Sequence, residues 1–138
     1  MFIMKIPVAV ILVVMLMAIG TLPGAPAPDS PRVIEVIADK DNTFKVPGEK
    51  KPSITVKPGE KIVVKITSHF GGEKAADGSL HSFVVKKLRD QGWDIRLKEG
   101  TQECPLVAPQ QTGEYLIECT VKCGRGHDDM NMKLIVKN

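Results

Sequence analysis

The chain has 138 residues, of which 43% are hydrophobic, 25% charged and 4% aromatic; that is room for one modest domain and an unusual first stretch, and it excludes a multidomain enzyme. Lys and Arg outnumber Asp and Glu by 19 to 16, a net charge of +3 spread without a basic run, so the electrostatic footprint of a nucleic-acid binder is missing. Three cysteines are too few for a disulfide scaffold and odd in number, which directs attention to metal or redox chemistry.

The chain opens with Met1 to Lys5, short and carrying one positive charge, followed by an apolar stretch over 6–22 and then a run of Gly, Pro and Ala. The stretch reads as an export signal or an anchor: its length reaches the lower limit for spanning a hydrocarbon core, and Ala25-Pro26-Ala27 has the small-x-small form of a cleavage site. It lacks the polar face of a core helix. Lys5 points the N-terminal end to the cytoplasm by the positive-inside rule, so either reading places the rest outside it. The organisation expected is a signal anchor or signal peptide over 1–22, a Pro/Gly/Ala-rich linker over 23–31 and a working domain over 32–138.

After the linker the pattern changes to period two. Ile54 and Val56 share one face of 53–57, and Ile62, Val64 and Ile66 one face of 61–67, so both are half-buried strands. Lys57-Pro58-Gly59-Glu60 between them is a turn, and the two segments are expected to pair or to bend into neighbouring strands. Further strands are expected at 32–38, 81–88, 93–97, near Cys104, 113–119 and 131–137, and no stretch after residue 30 keeps a helical period. Short strands punctuated by Gly and Pro predict an all-β domain, an antiparallel sandwich or small barrel.

The chemistry concentrates in Cys119-Thr120-Val121-Lys122-Cys123-Gly124-Arg125-Gly126-His127-Asp128-Asp129-Met130, which reads C-x-x-x-C-x-x-x-H-x-x-M. Two thiols, an imidazole and a thioether form a soft ligand set suited to copper, and Gly124 and Gly126 let the backbone fold around a centre. Zinc accepts Cys and His but favours four strong ligands, and iron-sulfur clusters favour four thiolates. The alternative is a Cys119–Cys123 disulfide with His127 on the surface and Met130 in the core; the combined pattern of ligand types on one loop weighs against it. Asp128 and Asp129 read as solvated charges, Met132 as core because it alternates with Leu134 and Val136, and Cys104 as a buried small apolar residue.

This loop resembles that of the CuA-bearing cupredoxin domain of cytochrome c oxidase subunit II, written C-x-x-x-C-G-x-x-H-x-x-M, and Gly124 matches as well. The family takes a further histidine from the start of a distant strand, followed by Ser and an aromatic, and Leu80-His81-Ser82-Phe83 looks like that segment. The resemblance covers the chain from about Pro52 onward and implies a Greek-key cupredoxin sandwich. It also implies a binuclear, mixed-valence copper centre: Cys119 and Cys123 bridging two ions, His81 and His127 each binding one, Met130 a weak axial ligand and the Val121 carbonyl its counterpart.

The chain also departs from that family. Val121 stands where subunit II usually carries Glu, Gly78 where it carries Asp, and the connection from Ser68 to Leu80 is longer. Phe44, Phe70, Phe83, Trp93 and Tyr115 lie singly, unlike the family's aromatic cluster. The leading expectation is therefore extracytoplasmic electron transfer, by a stand-alone carrier or a subunit II-like part of a respiratory complex, without catalytic residues of its own. Its partner would be a redox protein such as a cytochrome or another copper protein. The alternatives are a copper-binding accessory protein or chaperone and a mononuclear cupredoxin; a small-molecule enzyme ranks last, since only His69 offers a spare acid or base near the ligands.

Overall fold

The structure is a computed structural model that describes Gly24 and residues 30–138. The apolar segment expected over 1–22 lies outside the described residues, among which no helix is long and apolar enough to cross a membrane.

Alternation of apolar and polar residues builds nine strands among the described residues: β1 (Arg32–Ala38), β2 (Phe44–Lys45), β3 (Ser53–Val56), β4 (Lys61–Ser68), β5 (His81–Val84), β6 (Asp94–Leu97), β7 (Gly100–Val107), β8 (Gly113–Glu118) and β9 (Asn131–Val136). They form one sheet in the order β2-β1-β4-β7 and a second in the order β3-β9-β8-β5-β6. Ile62, Val64 and Ile66 of β4 are buried while the residues between them are half-buried, the mark of a strand with one face on a core. Leu134 and Val136 of β9 and Ile54 and Val56 of β3 supply the facing layer. The sequence thus yields an all-β sandwich, as its strand spacing predicts.

The sheets are mixed rather than wholly antiparallel. β1 runs parallel to β4, with Val36 opposite Ile66, and β3 runs parallel to β9, with Ile54 opposite Leu134. The Pro58-Gly59 turn therefore does not join a hairpin. The Glu60 N–H donates to the Lys57 carbonyl at 3.1 Å, and the reversal carries the chain from β3 in one sheet to β4 in the other.

The segment expected as one strand over 81–88 stops at Val84 and winds into a 3₁₀ turn, Lys86–Gln91, which ends at Gly92 in the left-handed region (φ 92°). Only Leu88 of that turn is buried, so the period of two is lost where two lysines follow Val85. β2 escapes sequence reading because two residues carry no period. It brings Phe44 edge-on to Phe83, ring centroids 5.8 Å apart, and Phe83 stacks on Trp93 at 6.3 Å. Three of the aromatic residues that lie singly along the chain thus meet in the core, where they add packing area and quadrupole complementarity.

Candidate metal centre

The pairing of β8 with β9 ends at Glu118 opposite Asn131, and the connection from Cys119 to Met130 closes on itself where the Cys119 N–H donates to the Met130 carbonyl at 3.1 Å. This neck places the first and last residues of the motif side by side. Inside it, His127 N–H donates to the Gly124 carbonyl and Met130 N–H to the His127 carbonyl. Those bonds wind the loop back toward Cys123 and need Gly124 at φ 127° and Gly126 at φ 96°, angles that suit glycine.

The donor side chains named from the sequence lie close together. The Cys119 and Cys123 sulfurs lie 3.8 Å apart, both buried and both free. A disulfide bond would hold them near 2 Å. Cys123 Sγ is also 3.4 Å from His127 Nδ1 and 3.7 Å from Met130 Sδ, while Cys119 Sγ approaches the Val121 carbonyl oxygen at 3.2 Å.

His81 comes from the other side, at the start of β5 opposite Leu97 of β6. The ligand atoms of His81, Cys119 and Cys123 all fall within 4.8 Å of one another. His81 is fully buried; its Nε2 is 2.7 Å from the His69 carbonyl, and its Nδ1 has no partner. With Nε2 carrying the proton for that carbonyl, Nδ1 is left as an unprotonated donor beside two thiols. An orphaned buried nitrogen costs about 1–3 kcal/mol, which a soft metal ion held by these sulfurs would relieve. The residues present fit copper.

β5 meets β8 through a single register pair, Val84 with Glu118. Past that point the ladder gives way to side chains. The Ser82 N–H points at Cys119 Sγ at 3.4 Å, and the Ser82 hydroxyl accepts the Thr120 N–H at 2.7 Å and bonds the Thr120 hydroxyl at 2.9 Å. These bonds hold the His81 strand at a fixed offset from Cys119 and place a donor against the sulfur. A cleft of about 400 Å³ opens beside Cys119, His127 and Met130, with Lys86, Arg89 and Glu118 on its rim. His127 is only half-buried, unlike the buried Cys123, so it is the imidazole of the set that faces the surface.

The other residues singled out in the sequence fall outside this cluster of donors. Asp128 and Asp129 are exposed, Met132 is core, and Cys104 is buried in β7 opposite Val64. The His69 side chain is exposed, and its contribution comes through its carbonyl, which no residue-type argument detects. Thr120 and Asn42, described below, likewise carry no signal in spacing.

Burial pushes the His81 imidazole below its ordinary pKa, against the His69 carbonyl, which acts to raise it. Burial, with the Cys119 thiol beside it, pushes Cys123 up to about 12. Below pH about 6.5 the unfolded chain binds a proton that buried His81 resists, so stability of the metal-free protein is lost as pH falls. From about pH 9 toward 12 the unfolded chain releases a Cys123 proton that the folded chain keeps, so stability is lost as pH rises. Thermal unfolding of the reduced, metal-free chain is therefore expected to have its highest midpoint between about pH 7 and 9. A midpoint that climbs as the pH drops from about 6.5 to 5 would contradict the placing of His81.

No protein-family model matches the chain, and no curated protein matches it. Solved structures do. A heme-copper terminal oxidase chain is 17% identical with a TM-score of 0.55, covering 88% of this chain and 80% of that one. The periplasmic domain of subunit II of cytochrome oxidase from Bradyrhizobium japonicum is 17% identical with a TM-score of 0.52, covering 78% of this chain and 84% of its own. Auracyanin A, a blue copper protein from Chloroflexus aurantiacus, is 19% identical with a TM-score of 0.51, covering 78% of this chain and 100% of its own. The likeness establishes a cupredoxin-like fold, the fold that the resemblance of the Cys loop implies.

Proposed function

We propose that this chain is an extracytoplasmic electron-transfer protein that holds a binuclear copper centre of the CuA type on His81, Cys119, Val121, Cys123, His127 and Met130. The observation that carries the reading is the pair of free, buried thiols 3.8 Å apart with an imidazole nitrogen close to them from each of two separate segments. One ion with three strong ligands and one weak one leaves part of this set idle. Two ions would use all of it: Cys119 and Cys123 together, one imidazole for each ion, Met130 for one and the Val121 carbonyl for the other.

The likeness in fold to an oxidase subunit II domain and to a blue copper protein supports copper and electron transfer as the use of the site. Two copper ions bridged by Cys119 and Cys123 would supply a one-electron couple whose charge is shared between both metals, so that little rearrangement accompanies transfer. The chain supplies the rest. Val121 and Met130 are buried beside the fully buried Cys123, the His69 carbonyl would fix the His81 tautomer, and half-buried His127 gives the edge at which a redox partner, a cytochrome or another copper protein, would dock. Residues 32–138 form the cupredoxin domain in this reading, and 1–22 hold or export it on the outer side of the cytoplasmic membrane.

Purified chain kept reduced and loaded with copper is expected to take up two ions per chain and to give a seven-line hyperfine pattern in electron paramagnetic resonance, the pattern of one electron shared by two copper nuclei. A four-line pattern with one ion would replace the binuclear reading with a mononuclear, blue-copper or metal-handling site. Failure to retain copper at all would sink the electron-transfer reading.

A further inference from the structure

Asn42 is 1% exposed and, among the described residues, is the one non-glycine at positive φ, 56°. It closes the turn between β1 and β2: its N–H donates to the Asp39 carbonyl at 3.0 Å, and the Asp39 N–H donates to the Thr43 carbonyl at 3.0 Å. Lys45 stiffens the turn with ion pairs to Asp39 at 2.5 Å and Asp41 at 2.9 Å. From this base the side-chain amide reaches between two other loops. Its Nδ2 donates one hydrogen to the Gly71 carbonyl at 2.9 Å and the other to the Arg125 carbonyl at 2.7 Å.

The first of those loops, 69–72, supplies the His69 carbonyl that holds His81; the second carries His127 two residues beyond Arg125. The surroundings are shaped to the amide. A Cβ on Gly71 would fall 1.9 Å from Asn42 Oδ1, and one on Gly124 would fall 3.0 Å from Nδ2. Oδ1 is buried without a partner, and turning the amide over would set that oxygen against two carbonyl oxygens, so the acceptors fix its orientation. A bond from the Glu73 N–H to the Cys123 carbonyl, 3.1 Å, ties the same two loops a second time.

Resting on the copper reading above, we propose that Asn42 is the positioning residue of the centre, a clamp that locks the His81-holding loop to the His127-bearing loop so that the ligands are set before the metal arrives. Its side-chain hydrogen bonds go to backbone carbonyls, not to the donor side chains. Its effect passes through the backbone of Gly71 and Arg125, and a donor with two hydrogens at a left-handed turn position is what the place requires. Asn meets both demands.

The test uses the full chain with Asn42→Asp, which keeps the shape and the left-handed tolerance but loses the two donors, and Asn42→Gly, which relieves φ and removes the amide. Alkylation of each cysteine in the reduced, metal-free protein is followed by peptide mass spectrometry, with Cys104 in β7 as the internal standard. Both variants are expected to speed modification of Cys119 and Cys123 by about tenfold or more while Cys104 is unchanged, and to speed transfer of bound Cu(I) to a chelator by about the same factor, the scale of effect seen for groups that orient metal ligands. Equal acceleration at all three cysteines would mean general loss of stability and overturn the clamp, as would unchanged rates at Cys119 and Cys123. If the unsubstituted chain holds no copper, the proposed function falls while the alkylation rates still judge the clamp.

Discussion

On the proposed binuclear reading, Cys123→Ser is expected to weaken copper binding by on the order of 100-fold or more and to abolish the seven-line spectrum, a loss at least as large as that from removing a group that only orients a ligand. Cys123 is where the donors meet: its sulfur lies 3.8 Å from Cys119 Sγ, 3.4 Å from His127 Nδ1 and 3.7 Å from Met130 Sδ. A serine hydroxyl has nearly the same reach but is a hard donor that stays protonated, so it can neither bridge two soft ions nor share an unpaired electron. The fold should survive, because the exchange leaves one buried hydroxyl in a fully buried position at a cost of about 1–3 kcal/mol. Copper stoichiometry and the hyperfine pattern measured on the folded variant decide the matter. A Cys123→Ser variant that retained two ions and seven lines would show that the bridging role lies elsewhere.

Gly124→Ala is expected to lower stability by about 3 kcal/mol or more, a fall in melting temperature on the order of 10–20 °C. Two penalties add. At φ 127° an L side chain is strained whatever the space around it, and the new methyl would lie 2.2 Å from the Gly71 carbonyl oxygen, a backbone atom that cannot swing aside. Gly48→Ala separates the two: it sits at φ 84° with open space and should lose only about 1 kcal/mol. Equal melting temperatures for the two variants would show that the contact between the copper loop and residues 69–72 is loose, contrary to the packing described.

The all-β class was legible because Ile62-Val64-Ile66 and Met132-Leu134-Val136 repeat with a period of two that a single buried face enforces. The candidate donors of the loop could be picked out because chemistry restricts which side chains suit a soft ion, and His81 was located by a family pattern. What stayed hidden was made of backbone. The parallel pairings of β1 with β4 and β3 with β9 depend on how the chain crosses between sheets, which strand composition does not encode. The His69 carbonyl acts through an atom every residue has. Asn42 lies far from Gly71 and Arg125 in sequence, in a stretch, Asp39-Lys40-Asp41-Asn42, that reads as an ordinary polar turn. The expected strand over 81–88 ended early because Leu88 is buried by a 3₁₀ turn rather than by alternation.

The parallel pairing of β3 with β9 also sets the order in which the molecule can assemble. Ile54 finds its partner only when Leu134 is available, so a chain emerging from its N-terminal end holds β3 as an unpaired edge through most of its synthesis. Such long-range closures are slow because loop entropy is lost before contacts form. The copper loop lies immediately before β9 and is drawn shut by the Cys119–Met130 neck, so the thiols become enclosed in the same late event that completes the second sheet. Until that closure Cys119 and Cys123 lie on an open stretch of chain, reachable by oxidants, reductants and metal donors alike, and completing the second sheet narrows that access.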